Sequence, residues 1–105
     1  HAASVFASNY LVTVLDAALR AYVAAGVPPQ VARELARPLA SETLANVFKL
    51  GAPGALSGPI ARGDVATVAR QHAALQDWDA PTAALYAALV DATTALAERK
   101  RSGAA

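Results

Sequence analysis

The sequence contains no cysteine and no methionine, and only 6% of its residues are aromatic. Without cysteine, a disulfide scaffold, thiol catalysis and a cysteine-ligated metal are all excluded. Without methionine, the encoded start of translation lies outside the chain. At 105 residues the chain is long enough for one modest hydrophobic core. We therefore expect a single helical domain over residues 1–105, the C-terminal part of a larger protein.

An excess of charge of one sign is also missing, because nine basic and eight acidic residues leave a formal net charge of +1. A nucleic-acid partner would need a clustered basic face, so none is expected. The longest apolar stretch, residues 10–25, is interrupted by Asp16 and Arg20, which argues against a membrane span. No signal-peptide pattern is present. These features favour a cytoplasmic protein without a membrane partner.

Alanine is abundant: it occurs 29 times, and 55% of the residues are hydrophobic. Alanine is the best helix former, and its short side chain lets helices approach closely. Apolar residues at helical spacing predict four helical segments, over about residues 4–25, 29–50, 65–75 and 80–100. We expect an all-α fold, a compact bundle of four or five helices with a long, largely apolar first helix.

The first predicted helix carries only a narrow polar stripe. Its polar residues follow steps of four, three and four along the helix: Asn9, Thr13, Asp16 and Arg20. A helix that is apolar around most of its circumference is normally buried from several sides. A second subunit would cover it more easily than three short helices, so a homodimer is expected.

Other residues predict where helices end and which faces turn inward. Gly26 and the prolines that follow should end the first helix. Pro38 should kink the second helix or divide it into two abutting helices. Asp64 and Asp79 precede helical segments and should act as N-caps. The expected inward stripe of the second helix is formed by Val31, Leu35 and Leu39, followed by Thr43 and Val47.

Few residues have the spacing of a chemical site. His1 and His72 are far apart and lack metal-ligand spacing, so no metal site is expected. The glycine- and proline-rich residues 51–63 lack the Gly-Lys-Ser/Thr end of a phosphate-binding loop, which favours a structural loop. Asn9, next to Ser8, leaves two interpretations open: a hydrogen bond to a neighbouring helix, or a position facing a ligand cleft.

Two segments together carry a resemblance to a known family: residues 1–11 (HAASVFASNYL) and residues 55–64 (ALSGPIARGD). They resemble an uncharacterised helical domain that follows a Rossmann-like domain at the C-terminal end of proposed NAD(P)-dependent oxidoreductases. The resemblance covers essentially the whole chain, and its most specific part is the Gly-Pro-x-x-Arg-Gly-Asp segment. More distantly, the chain is similar to the C-terminal domains of the 6-phosphogluconate dehydrogenase superfamily, which includes pyrroline-5-carboxylate reductase and ketopantoate reductase.

The resemblance implies a division of labour between two domains. An N-terminal domain outside the chain would bind NADP or NAD, and no cofactor is expected in residues 1–105. The helical domain would close the cleft over a small-molecule substrate and form the homodimer. By itself it is expected to be inactive.

The resemblance also implies which residues face the cleft. The start of the first helix lies near the nicotinamide in such enzymes, so His1 is the catalytic candidate and Ser8 and Asn9 are substrate-binding candidates. Arg62 is the candidate for binding an anionic group of the substrate. Several relatives carry a catalytic lysine on this helix, whereas the first lysine here is Lys49. A proton donor would therefore be His1 or come from the other domain.

A second hypothesis needs no catalysis in the parent protein. The almost wholly apolar first helix and the lack of a complete catalytic constellation are also typical of a non-catalytic helical dimerisation or protein-interaction module.

Overall fold

The computed structural model describes residues 1–103, and every regular element in that range is an α-helix. The helices are α1 (Ala2–Ala7), α2 (Asn9–Ala24), α3 (Pro29–Ala55), α4 (Val65–Trp78) and α5 (Ala80–Ser102). The predicted all-α class and the predicted number of four or five helices are confirmed. The Cα positions group into two compact units, His1–Ser41 (unit 1) and the residues from Glu42 onward (unit 2). Whether the chain behaves as one domain stays a prediction.

In unit 1 the predicted first helix is present as α1 followed directly by α2. The two are separated only at Ser8, whose backbone is non-helical (φ −132°, ψ −72°). At the other end of α2, Gly26 adopts φ +98°, the amide of Gly26 donates to the Val23 carbonyl, and the amide of Val27 donates to the Tyr22 carbonyl, both at 3.0 Å. This glycine-dependent pair of bonds ends the helix as the sequence predicted.

The most apolar helices of the chain are only partly covered by the described residues. Neither α1 nor α2 contains a buried residue. Phe6, Tyr10 and Val12 remain 70%, 53% and 68% exposed. The predicted polar stripe is solvent-facing, with an Arg20 Nε to Asp16 Oδ2 ion pair of 2.9 Å. The full burial that the sequence predicts for this segment is therefore not found within residues 1–103.

Two predictions about α3 are not borne out in full. The helix does not divide at Pro38, because the residue with non-helical dihedral angles is Gly51 (φ 78°, ψ 160°). Pro38 has no amide hydrogen to donate to the carbonyl of Glu34, but Glu34 is exposed, so water can satisfy that carbonyl. The conformation at Gly51, in contrast, is adopted without strain only by glycine. In the predicted inward stripe, Val31, Leu35 and Leu39 are 39%, 48% and 61% exposed and Thr43 is exposed, whereas Val47 is half-buried. The buried residue of the helix is Ala32.

In unit 2 the helices α4 and α5 pack against each other. Thr82, Ala83 and Ala97 are the buried residues of α5. The small alanines allow close approach of the neighbouring backbone. Lys100 Nζ donates to the carbonyl oxygens of Pro53 and Gly54, at 3.1 and 3.3 Å. An ammonium group at these last carbonyls of α3 also interacts favourably with the negative end of the helix dipole.

The start of α5 depends on Asp79, as the sequence predicted. Its carboxylate accepts a bond from the Thr82 amide at 3.2 Å and another from the Thr82 hydroxyl. Thr82 is only 6% exposed, so loss of the carboxylate would remove an acceptor from a buried amide and a buried hydroxyl. We expect Asp79→Ala to lower the free energy of unfolding by about 1–2 kcal/mol in urea titrations. The control is Asp77→Ala, an exposed carboxylate two residues earlier, and equal losses in both variants would contradict the assignment.

The segment Ala2–Ala24 is long and apolar enough to cross a membrane when judged by length and composition alone. The two charged residues of this segment, Asp16 and Arg20, are within the number of charges that such a judgement allows. Core helices of soluble proteins and N-terminal signal sequences satisfy the same criterion. The expectation that the protein has no membrane partner and is cytoplasmic stays a prediction.

Candidate functional site

His1 lies at the N-terminal end of α1. Its Nδ1 atom accepts a hydrogen bond from the Ala3 amide at 3.3 Å, which makes the imidazole the N-cap of the helix. The residue is exposed to solvent. The neutral imidazole that accepts this bond carries its proton on Nε2, so Nε2 can donate a hydrogen bond to a ligand.

Ser8 and Asn9 lie at the junction of α1 and α2, and both are exposed. The Ser8 hydroxyl makes no capping bond. The Asn9 carbonyl accepts a bond from the Thr13 hydroxyl at 3.4 Å, but its side-chain amide has no hydrogen bond within residues 1–103. Asn9 therefore makes no hydrogen bond to a neighbouring helix within residues 1–103. The other interpretation, that it faces a ligand cleft, stays a prediction. Two polar side chains are available to a ligand or partner here.

The loop that carries the Gly-Pro-x-x-Arg-Gly-Asp segment is held by its own backbone. Gly58 and Gly63 have φ of +94° and +72°, a region that favours glycine. The Arg62 amide donates to the Gly58 carbonyl at 3.2 Å, and the Asp64 amide donates to the Pro59 carbonyl at 2.8 Å. The loop is thus a defined series of turns leading into α4.

The Arg62 side chain projects from this loop, with its positive charge close enough to Asp64 to lower the pKa of that carboxyl. It is exposed, and within residues 1–103 it forms no hydrogen bond or ion pair. A guanidinium group on an ordered backbone can bind a carboxylate or phosphate through two parallel hydrogen bonds. The geometry therefore suits Arg62 to anion binding.

Asp64 ends the loop and caps α4. Its carboxylate accepts bonds from the Thr67 hydroxyl at 2.7 Å and the Thr67 amide at 3.1 Å. These bonds, with smaller contributions from the positive charges of Arg62 and Arg70, hold the pKa of Asp64 below its ordinary value of 3.8. The sequence-predicted N-cap is confirmed.

The lowered pKa of Asp64 has a consequence for stability against pH. Its stabilising contribution is fully present above the unfolded-state pKa and is lost as the pH falls through the lower folded-state pKa. Asp64→Asn keeps a good N-cap but cannot titrate. We expect its melting temperature to fall less steeply than that of the wild type between about pH 5 and pH 3. Thr67→Val, which removes the hydroxyl donor, should give an intermediate slope, and equal slopes in all three proteins would contradict the assignment.

A cavity of about 250 Å³ lies within unit 2, between this loop and the helices α4 and α5. Its apolar lining includes Ile60 and Val68, and its polar lining includes Asp64, Thr94 and Arg101. The Thr94 hydroxyl is already bonded to the Val90 carbonyl at 2.7 Å, and the Asp64 carboxylate is bonded to Thr67. Thr94 and Asp64 are therefore already engaged in hydrogen bonds to residues of α5 and α4.

One polar cluster was not predicted from the sequence. The Tyr86 hydroxyl donates to Gln71 Oε1 at 2.7 Å, which joins α5 to α4. The half-buried His72 ring lies with its centroid 6.2 Å from that of Tyr86, and burial raises the pKa of Tyr86 above 10.0. Gln71 and Tyr86 are 15 residues apart, so no local spacing could have indicated the pair.

The predicted site residues fall in two groups. His1, Ser8 and Asn9 lie in unit 1, at the exposed start of the apolar segment, and Arg62 lies in unit 2. Within residues 1–103 no group of three or more histidine, aspartate or glutamate residues could hold a metal ion. The catalytic and binding roles of these four residues stay predictions.

Comparison with known protein families matches residues 1–93 to the domain of unknown function DUF2520. The chain belongs to this family. The DUF2520 match includes α1 to α4, the Arg-Gly-Asp loop and all four candidate site residues. No curated protein and no solved structure matches the chain. The family is thus established by sequence, and its description assigns no activity.

Proposed function

We propose that this DUF2520 chain is the substrate-closing and dimerising helical domain of an NAD(P)-dependent oxidoreductase. The observation that carries the proposal is the exposed apolar segment α1–α2, which has polar residues at its start. Phe6, Tyr10 and Val12 are exposed, and His1, Ser8 and Asn9 lie on the same segment. Such a surface is suited to contact both a second apolar surface and a polar ligand.

The apolar part of this surface supports the dimerising role. Each square ångström of apolar area removed from water contributes about 25 cal/mol, so leaving several large side chains exposed forgoes several kcal/mol. Tyr10 and Val12 are two residues apart on α2 and point to different sides of the helix, and a helix that is apolar on several sides is normally covered by more than one surface. A second copy of the chain is the partner that the proposal specifies.

The cofactor part of the proposal assigns NADP or NAD to a domain outside this chain. A dinucleotide site needs a glycine-rich turn between a strand and a helix. The residues described here form helices and connecting turns without a strand, so they do not fit the core of such a site. A bound nicotinamide would supply the hydride; this chain would bind and orient the substrate and exclude water.

Arg62 is the residue proposed to hold an anionic group of the substrate. Two charge-assisted hydrogen bonds contribute about 1.5–3 kcal/mol each, so their loss should be visible in kinetics. In the longer protein we expect Arg62→Gln to raise the KM for substrate at least about tenfold while NADPH affinity stays unchanged. Arg62→Lys should recover part of the loss, because it keeps the charge but not the fork.

The proposal is tested first on the gene and then on the longer protein. A Gly-x-Gly-x-x-Gly strand–turn–helix pattern should lie upstream of His1, and the longer protein should bind NADPH or NADH in a fluorescence titration. Absence of both would overturn the oxidoreductase role. A panel of keto acids, imines and sugar acids, followed by NADPH oxidation, would then identify the substrate class.

The alternative proposal is a non-catalytic helical dimerisation or protein-interaction module. It is favoured by the same exposed apolar residues and by the lack of a complete set of nucleophile, base and orienting group among the described residues. A dimeric protein without any NAD(P)H affinity would support it over the first proposal. Both proposals expect a cytoplasmic homodimer without nucleic-acid or membrane partners.

A further inference from the structure

A groove of about 490 Å³ lies between α2 and α3, entirely within unit 1. Its apolar floor consists of Leu15 and Leu19 from α2 and Ala36 and Ala40 from α3. All four residues are half-buried, so they remain accessible from the open side of the groove. A volume of this size falls within the range of small-molecule pockets.

The rim of the groove is polar and carries net positive charge. It consists of Gln30, Arg33, Glu34 and Arg37 on α3. Arg33 and Arg37 are one helical turn apart, a spacing at which like charges repel. Gln30 Nε2 donates to Glu34 Oε1 at 3.4 Å, and within residues 1–103 neither arginine forms an ion pair or a hydrogen bond through its side chain. An anion between the two guanidinium groups would relieve the repulsion.

We propose that this groove binds an elongated apolar carboxylate. The carboxylate would accept hydrogen bonds from Arg33 and Arg37, and the apolar chain would cover the leucine and alanine floor. Two arginines and one glutamate leave a net charge of +1 on the rim, which matches a monoanion. The proposal is independent of the oxidoreductase role, because none of the groove residues is among the site residues assigned to that role.

The shape of the floor favours a small molecule over a docked helix. The part of the floor that α2 contributes spans a single helical turn, from Leu15 to Leu19. A helix docked in a groove is anchored over at least two turns. The two alanines on α3 leave room for a chain of methylene groups but present no deep pockets for anchoring side chains.

The test is a titration of the full chain with decanoate, followed by calorimetry and by NMR shifts of the Leu15 and Leu19 methyl groups. We expect saturable one-to-one binding with shifts confined to the groove. The double variant R33Q/R37Q should weaken binding at least about tenfold, because charge-assisted hydrogen bonds are lost. R33K/R37K should retain part of the affinity. All these side chains are exposed, so circular dichroism should be unchanged.

The matched control is R70Q/R99Q, which removes the same charge from exposed positions outside the groove. It should bind decanoate as the wild type does. Ala36→Leu fills the floor with a good helix former and should weaken binding without touching the charges. Acetate, decanol and decyltrimethylammonium should each bind at least about tenfold more weakly than decanoate.

Three results would overturn the proposal. Equal weakening by R70Q/R99Q and R33Q/R37Q would show a non-specific charge effect. Binding of decyltrimethylammonium as tight as that of decanoate would show an apolar docking surface for another occupant, such as a protein helix. Absence of saturable decanoate binding in a folded chain would exclude the site.

Discussion

Replacing Ala83 by leucine should lower the free energy of unfolding by about 1–3 kcal/mol, because extra methylene groups in a packed core force neighbouring groups apart. Ala83 is 0% exposed and lies on the α5 helix that packs against α4. Leucine and alanine have similar helix propensities, so the loss would report packing alone. For a domain of this size the melting temperature should fall by about 4–8 °C for each kcal/mol. Thermal and urea unfolding both measure it.

The matched control is Ala84→Leu, one residue further along the same helix. Ala84 is exposed, so its substitution should change the free energy of unfolding by no more than about 0.5 kcal/mol. Equal stability of the two variants would mean that α5 does not turn Ala83 towards α4. A larger loss for Ala84→Leu would reverse the assigned faces of the helix.

Replacing Val12 by aspartate should convert the proposed dimer to a monomer. Val12 is 68% exposed in the single chain, so a charge there costs little when the chain is alone. In an interface that covers this face, an unpaired buried charge costs about 3–5 kcal/mol. The dimer dissociation constant should therefore rise more than about 100-fold, since each 1.4 kcal/mol is tenfold. Light scattering over a concentration series measures the change.

The control is Thr13→Asp, which adds the same charge to the neighbouring polar stripe. Thr13 is exposed, and its hydroxyl bonds only the Asn9 carbonyl one turn earlier. This variant should remain as dimeric as the wild type. A wild-type protein that is monomeric at high concentration would contradict the homodimer in both functional proposals. Equal dimerisation of the two variants would move the interface to another face.

The sequence indicated most of the candidate site residues but not the local geometry in which the structure holds them. Resemblance singled out His1, Ser8, Asn9 and Arg62, and the structure finds all four exposed. That His1 caps α1, and that Ser8 breaks the helix, depend on backbone geometry that composition does not encode. The Arg33 and Arg37 rim was missed, because a spacing of four on a helix signals a shared face but not the groove beside it.

The sequence by itself determined that the chain is helical, where α2 ends and where α4 and α5 begin. The Gly26 stop and the aspartate caps at Asp64 and Asp79 follow from bonds between residues at most five apart in the chain, so local chemistry suffices to predict them. Only the tertiary structure decided which faces are covered. Val31, Leu35 and Leu39 have the spacing of a core stripe, yet the buried residue of α3 is Ala32.

The same distinction holds in unit 2. Lys100 bonds carbonyls 46 and 47 residues away, and Tyr86 bonds Gln71 on the preceding helix. These contacts depend on how helices pack against each other, and the periodicity of one segment carries no information about its packing partner. Periodicity says that a face is apolar; whether another surface lies against it is set by close packing between distant segments. Within residues 1–103 no surface fully covers α1 and α2, and several large side chains of the segment that the sequence marks for burial are therefore exposed.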